Sequence, residues 1–288
     1  MPSTIRDLLD IFNLEELEHN LFRGKSPRTG LQRVFGGQVI GQALTAAQRT
    51  VDPSRPVHSL HCYFLLGGDP KIPIIYQVER IRDGGSFTTR RVTAIQHGQP
   101  IFSMMASFQK EEEGLFHQIG MPEGVPAPES LPSRSELVES AALVIPESLR
   151  AFWRKQTLID VRPTGLEHYT TRDKLPPSQN IWMRITEPVP AEPALNAALL
   201  AYLSDMTLLD VTTYAHGRTL FDPEIQAASL DHAMWFHRPF NLNEWLLYCQ
   251  DSPSSQGSRG LARGSIFSRD GVLVASVAQE GLMRLRTK

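Results

Sequence analysis

Apolar positions along the chain change period several times, and the changes outline its elements. Near the start Ile5, Leu8, Leu9 and Phe12 recur at helical spacing behind a capping Ser3 or Thr4, so residues 3–20 predict one or two short helices. After Gly36-Gly37 another helix is expected, because Val39, Ile40, Ala43, Leu44 and Ala47 form one apolar stripe. The period then drops to two. Residues 57–66, 72–82, 86–97 and 100–109 predict four strands, separated by Gly67-Gly68-Asp69-Pro70, Asp83-Gly84-Gly85 and His97-Gly98-Gln99-Pro100.

The pattern lapses over residues 111–150, which open on Glu111-Glu112-Glu113 and carry Pro122, Pro126, Pro128, Pro132 and Pro146. This is linker composition, with one helix expected around Ser135–Leu143. The earlier order then returns: a strand at about 179–186, a helix at 194–209, and strands at about 225–237, 244–250, 259–268 and 272–281. Gly98-Gln99-Pro100-Ile101 corresponds to Gly271-Val272-Leu273-Val274 at a steady offset of 173. The expected organisation is an N-terminal unit over 1–112, a Pro/Ser/Glu-rich linker over 113–158 and a C-terminal unit over 159–288. Each unit sets one long helix against an antiparallel sheet, an α+β arrangement repeated in tandem and packed as a pseudo-dimer. In the second helix Leu195, Ala198, Leu199, Tyr202, Met206 and Leu209 share one arc.

Composition narrows the function. The 288 residues are 41% hydrophobic and 21% charged, and 29 Lys+Arg against 31 Asp+Glu leave a net charge of −2. A chain so balanced lacks the basic excess of a nucleic-acid binder. No signal-peptide pattern opens it, no apolar run of about 18–20 residues predicts membrane insertion, and Arg286-Thr287-Lys288 is not a peroxisomal address, so a cytoplasmic protein is expected. Cys62 and Cys249 sit in apolar runs and read as small buried hydrophobes.

Common catalytic and nucleotide signatures are absent, including Gly-x-Ser-x-Gly, the phosphate-binding loops and His-Glu-x-x-His. His232 and His237 are five apart in a strand-like run, on opposite faces, a poor pair for one metal; no metal or cofactor is expected. Three polar residues interrupt apolar faces instead. Asp205 lies at the edge of the second helix's stripe. Gln279 follows Leu273, Ala275 and Val277 at strand period. Ser229 starts the strand Ser229-Leu230-Asp231-His232. Together they offer an acceptor, a hydroxyl and an amide, a set able to hold a water molecule against a reactive acyl carbon. His58 is the alternative base.

At these residues the chain resembles the thioesterase II type of acyl-CoA thioesterases over nearly its whole length. The resemblance is carried by Leu21-Phe22-Arg23-Gly24, Val34-Phe35-Gly36-Gly37-Gln38-Val39-Ile40-Gly41-Gln42-Ala43, His58-Ser59-Leu60-His61-Cys62-Tyr63-Phe64-Leu65, Asp231-His232-Ala233-Met234-Trp235-Phe236-His237-Arg238-Pro239-Phe240 and Asp270-Gly271-Val272-Leu273-Val274-Ala275-Ser276. It implies a double hot-dog fold and hydrolysis of fatty acyl-CoA to free fatty acid and CoA. It implies that Asp205, Ser229 and Gln279 are the catalytic set. Ser229 stands where many bacterial members have Thr, a mild departure that keeps the hydroxyl. For the oxyanion the Gly36-Gly37 turn and the Gln279 amide are candidate donors. For CoA's phosphates Arg82, Arg90, Arg91, Arg259 and Arg263 are candidates near strand ends. An enoyl-CoA hydratase and a non-catalytic thioester-binding module are the competing readings. A homo-oligomer, dimer or tetramer, is expected because sheet edges and faces invite symmetric partners.

Overall fold

In the computed structural model, which describes residues 2–27, 32–133, 136–138, 147, 150, 154 and 157–286, thirteen strands form one antiparallel sheet. They are β1 (Glu15–Glu18), β2 (Leu21–Gly24), β3 (Val57–Phe64), β4 (Ile74–Asp83), β5 (Phe87–Gln96), β6 (Gln99–Gln109), β7 (Ile159–Pro163), β8 (Ser178–Ile185), β9 (Ile225–Ser229), β10 (Asp231–Phe236), β11 (Leu246–Gln256), β12 (Arg259–Ser268) and β13 (Leu273–Leu285). Their order is β1-β2-β4-β5-β6-β3-β10-β13-β12-β11-β8-β7, with β9 pairing beside β10 on β13. Outward from the central β3–β10 pair the two halves read in the same sequence, as a double hot-dog does. At the seam Leu60 meets Met234 and Cys62 meets His232.

Two long helices, α2 (Gly36–Gln48) and α3 (Pro193–Ser204), pack against each other inside the curve; a shorter α1 (Ile5–Phe12) precedes them. A Cβ on Gly37 would stand 2.5 Å from the Tyr202 carbonyl oxygen, and one on Gly41 would stand 2.9 Å from that of Ala198. These glycines therefore set how closely the antiparallel helices approach. Both helices are wrapped by sheet, so α3 is buried on all sides from Ala197 to Ser204 rather than along one stripe.

Several expectations need correction. Thr4 caps α1 through a reciprocal box with Asp7, as the sequence suggests, but the expected second helix before residue 20 is the β1–β2 hairpin. The second-half helix ends at Ser204, not 209; Asp205 is its C-cap, followed by a tighter turn over Leu208–Asp210. The expected strand 225–237 is two strands broken at Leu230. Leu273 does not share the face of Ala275, because a bulge opposite Ile266 and Phe267 turns it to the outer side. The stretch Pro193–Tyr214 is apolar and long enough by composition to cross a bilayer, contrary to the expectation, but 67% of its window is buried within the fold.

The Pro-rich stretch is partly a strap. Gln118 Nε2 donates to the Gly271 carbonyl at 2.8 Å, and the Trp182 indole donates to that of Pro126 at 2.9 Å. Met121, Val125 and Leu131 cover Trp182, Trp245 and Phe267 on the outer face of the second-half sheet. The helix expected around Ser135–Leu143 falls largely outside the described residues.

Candidate active site

Asp205, Ser229 and Gln279 arrive from three elements. Asp205 is released from α3 at its C-cap, Ser229 ends β9, and Gln279 lies on the inner face of β13 with Ala275 and Val277. Their side chains meet. Gln279 Nε2 donates to Asp205 Oδ1 at 2.8 Å and to Ser229 Oγ at 2.8 Å. One primary amide nitrogen has two hydrogens, so both are committed. Gln279 is 1% exposed, so the donor side of both bonds is shielded from solvent.

Asp205 retains a partial opening to solvent, yet the surrounding protein pushes its carboxyl up to about 6; Gln279 and the Gly37 N–H, both donating to it, oppose that rise. Gly37 lies in the first turn of α2, where N–H groups have no partner four residues back. The carboxylate thus joins the end of one helix to the start of the other. Gly36 is equally constrained, since a Cβ there would stand 2.7 Å from Asp205 Oδ2 and 3.0 Å from the Phe64 ring. This glycine pair, expected from the sequence as a candidate oxyanion donor, is also a steric requirement of the site.

Other candidates are used elsewhere. His58, at the far end of β3 from Phe64, bonds Ser107 Oγ at 2.8 Å. At about 3.3 Å per strand residue, the six steps of β3 from His58 to Phe64 set it roughly 20 Å from the Phe64 end where Asp205 lies. Arg90 is buried and bonds Thr50, Asp83 and the carbonyls of Arg82 and Thr89. Arg91 pairs with Glu79, Arg259 with Glu280 and Arg263 with Asp251. Four of the five phosphate candidates therefore already have partners. Both Gln279 hydrogens are taken, so its amide is not a spare oxyanion donor. His237 is exposed and bonds Ser276 Oγ at 2.9 Å. Cys62 is buried; Cys249 is partly so. Among the described residues no cluster of three His, Cys, Asp or Glu could hold a metal.

Sequence reasoning missed His232 behind the site. Its alternation with Met234 predicts an inward ring, but nothing in the spacing marks Ser204 and Gln279 as its neighbours.

Comparisons with known proteins agree with one another. The family profile described as "Acyl-CoA thioesterase" matches residues 152–282, and "Acyl-CoA thioesterase N-terminal domain" matches residues 24–109. Acyl-CoA thioesterase 2 of Haemophilus influenzae is 39% identical over 284 residues, covering 99% of each chain. Acyl-coenzyme A thioesterase 8 of Homo sapiens is 38% identical over 296 residues, covering 99% of this chain and 92% of that one. The crystal structure of an acyl-CoA thioesterase II, TesB2, from Mycobacterium marinum superposes with a TM-score of 0.80 at 46% identity, covering 96% of this chain and 98% of that one.

Proposed function

Because this chain belongs to the acyl-CoA thioesterase family, we propose that it hydrolyses fatty acyl-CoA with a water molecule activated by Asp205 and held with the help of Ser229 and Gln279. One observation carries the reading: a single buried amide nitrogen binds both the carboxylate and the hydroxyl at 2.8 Å. Gln279 fixes the spacing of the two acceptors. Ser229 keeps its own proton and one lone pair for the water. Asp205, with a pKa of about 6, is mostly ionised at neutral pH and is a stronger base than an ordinary carboxylate.

The steps follow from this placement. Water attacks the thioester carbonyl carbon as Asp205 takes one of its protons. Negative charge gathers on the carbonyl oxygen. The Gly36 N–H, in the same first turn of α2, is the donor we assign to it. The carbon–sulfur bond then breaks, and the CoA sulfur recovers the proton from Asp205. A thiolate leaves more readily than an amine, so no covalent enzyme adduct is required.

We propose further that the protein is cytoplasmic and homo-oligomeric. The strap covers the outer face of the second-half sheet, while the first-half outer face leaves Tyr63 63% and Met105 44% exposed. The test of function is acyl-CoA turnover followed by two signals. Thioesterase action releases free thiol; a hydratase would change enoyl absorbance with no thiol, and a binding module would do neither.

A further inference from the structure

His232 is buried on β10 one residue before Ala233, which pairs with Ala278, the residue next to Gln279 on β13. Its ring is fully buried. Nε2 lies 3.0 Å from Oγ of Ser204, the last residue of α3 and the neighbour of Asp205. The other side of the ring faces the Gln279 side chain. Nδ1 of His232 and Oε1 of Gln279 are both buried, and neither has a hydrogen-bond partner.

Two such atoms satisfy each other if one carries a proton. An amide oxygen has none, so the proton belongs on Nδ1. The opposite tautomer would set two lone pairs face to face. Turning the amide over to relieve that would put its oxygen 2.8 Å from Asp205 Oδ1, where the ionised carboxylate repels it. A doubly protonated ring is disfavoured, because burial holds the imidazole down at about 4. With Nδ1 protonated, Nε2 accepts the Ser204 hydroxyl proton, which would otherwise go to the Ala201 carbonyl at 2.9 Å.

We propose that His232, as its Nδ1–H tautomer, is a positioning residue that donates to Gln279 Oε1 and thereby holds both Nε2 hydrogens on Asp205 and Ser229. The proposal rests on the reading of Asp205 as the base. The hydrogen bonds run from Ser204 through His232 and Gln279 to Asp205, and the backbone joining Ser204 to Asp205 closes the ring. The other titratable groups nearby are the Cys62 thiol on β3 and the phenols of Tyr202 on α3 and Tyr248 on β11, all pushed up by burial and so protonated near neutral pH, and Asp231 on β10, also raised, beside Glu280 and accepting its N–H. Asp231 has its own donor, so an acid-limb change on altering His232 reports on Asp205.

The test compares His232→Leu, His232→Asn and Asp205→Asn with the unmodified enzyme. Asparagine can place an N–H near the position of Nδ1; leucine cannot. For His232→Leu the expected result is a fall in kcat of about 10- to 100-fold with KM little changed, and an acid limb displaced upward because Asp205 loses a well-aimed donor. His232→Asn is expected to recover most of the rate and return the limb. Equal behaviour of Leu and Asn overturns the proposal, since a merely structural role would not tell them apart. Should the leucine variant not fold, ¹⁵N spectra of histidine-labelled native enzyme decide: a proton on Nδ1 of His232 supports the proposal and one on Nε2 overturns it. Asp205→Asn separates the two readings. Full turnover there overturns the base assignment itself, whereas an inactive Asp205→Asn beside a fully active His232→Leu with an unmoved limb overturns only the role of His232.

Discussion

Gln48 occupies in the first half the place that Asp205 occupies in the second. The N-caps of α2 and α3, Phe35 and Glu192, are 157 residues apart, as are Gln48 and Asp205. The contacts mirror each other: Gln48 Nε2 donates to the Ala194 carbonyl at 3.1 Å, while Asp205 accepts from the N–H of Gly37, the residue 157 before Ala194. Sheet register extends the match. Ser229 pairs with Gly281 as Val57 pairs with Phe108, and the offset of 173 that takes Phe108 to Gly281 takes Ala106 to Gln279. The first half therefore carries an amide, a valine and an alanine where the second carries the carboxylate, hydroxyl and amide. A cavity of about 1000 Å³ remains there, lined in part by Gln48, Val57 and His58. Gln48→Ala is expected to leave thiol release within about twofold of the unmodified enzyme, whereas removal of a working polar group costs about 10²–10⁴. A large loss in Gln48→Ala would place chemistry in that cavity.

Asp205 ties activity and stability to pH in opposite senses. Its folded carboxyl is raised from 3.8 to about 6, so the folded state binds more protons than the unfolded one between those values. Ionised Asp205 thus costs the fold stability above pH 6, and the cost fades as pH falls toward 4. Asp205→Asn should unfold later than the unmodified enzyme at pH 7–8, by roughly 1–3 kcal/mol, and show no such gain near pH 4. Activity runs the other way, with kcat/KM falling on the acid side of about 6. Thermal melts and a rate profile across that range check both halves.

Ser229 is needed for its hydroxyl rather than its size. Ser229→Thr keeps the acceptor for Gln279 and should retain most turnover, its added methyl restricting the rotamer. Ser229→Ala leaves a buried Gln279 hydrogen without its acceptor and should lose about 10²-fold or more in kcat. Equal rates for the two variants would remove the hydroxyl from the mechanism.

Two of the three glycines of α2, Gly36 and Gly41, separate catalysis from packing. Gly36→Ala sets a methyl against Asp205 Oδ2 and Phe64, so its expected effect is lost turnover with little change in melting temperature. Gly41→Ala meets the Phe12 ring at 2.4 Å and the Ala198 carbonyl at 2.9 Å, deep between the helices. It should destabilise the fold by about 1–3 kcal/mol. Melting curves beside thiol-release rates distinguish the two.

Much of this was legible in the residues. The helix after Gly36 stands out by its apolar run, and the four strands that follow stand out because each buries alternate residues, as Leu60 and Cys62 do against exposed His61 and Tyr63. β1 escaped because its Glu15–Glu18 run is exposed throughout, Leu17 included, and has no inner face to reveal a period. The end of α3 escaped for the opposite reason: Met206, Leu208 and Leu209 remain apolar after the helix has stopped, so burial alone could not mark Ser204 as its last residue. Asp205, Ser229 and Gln279 showed as polar breaks in apolar faces. Their shared contact did not, because it depends on β9 and α3 converging on one point of β13.

The central claim is that solvent water attacks the thioester directly. Single-turnover hydrolysis of a fatty acyl-CoA by excess enzyme in H₂¹⁸O tests it most directly. The expected result is one ¹⁸O in the released fatty acid and none in the Asp205 carboxylate. Unlabelled fatty acid, with ¹⁸O entering Asp205, would show that the carboxylate itself attacked and would contradict the account.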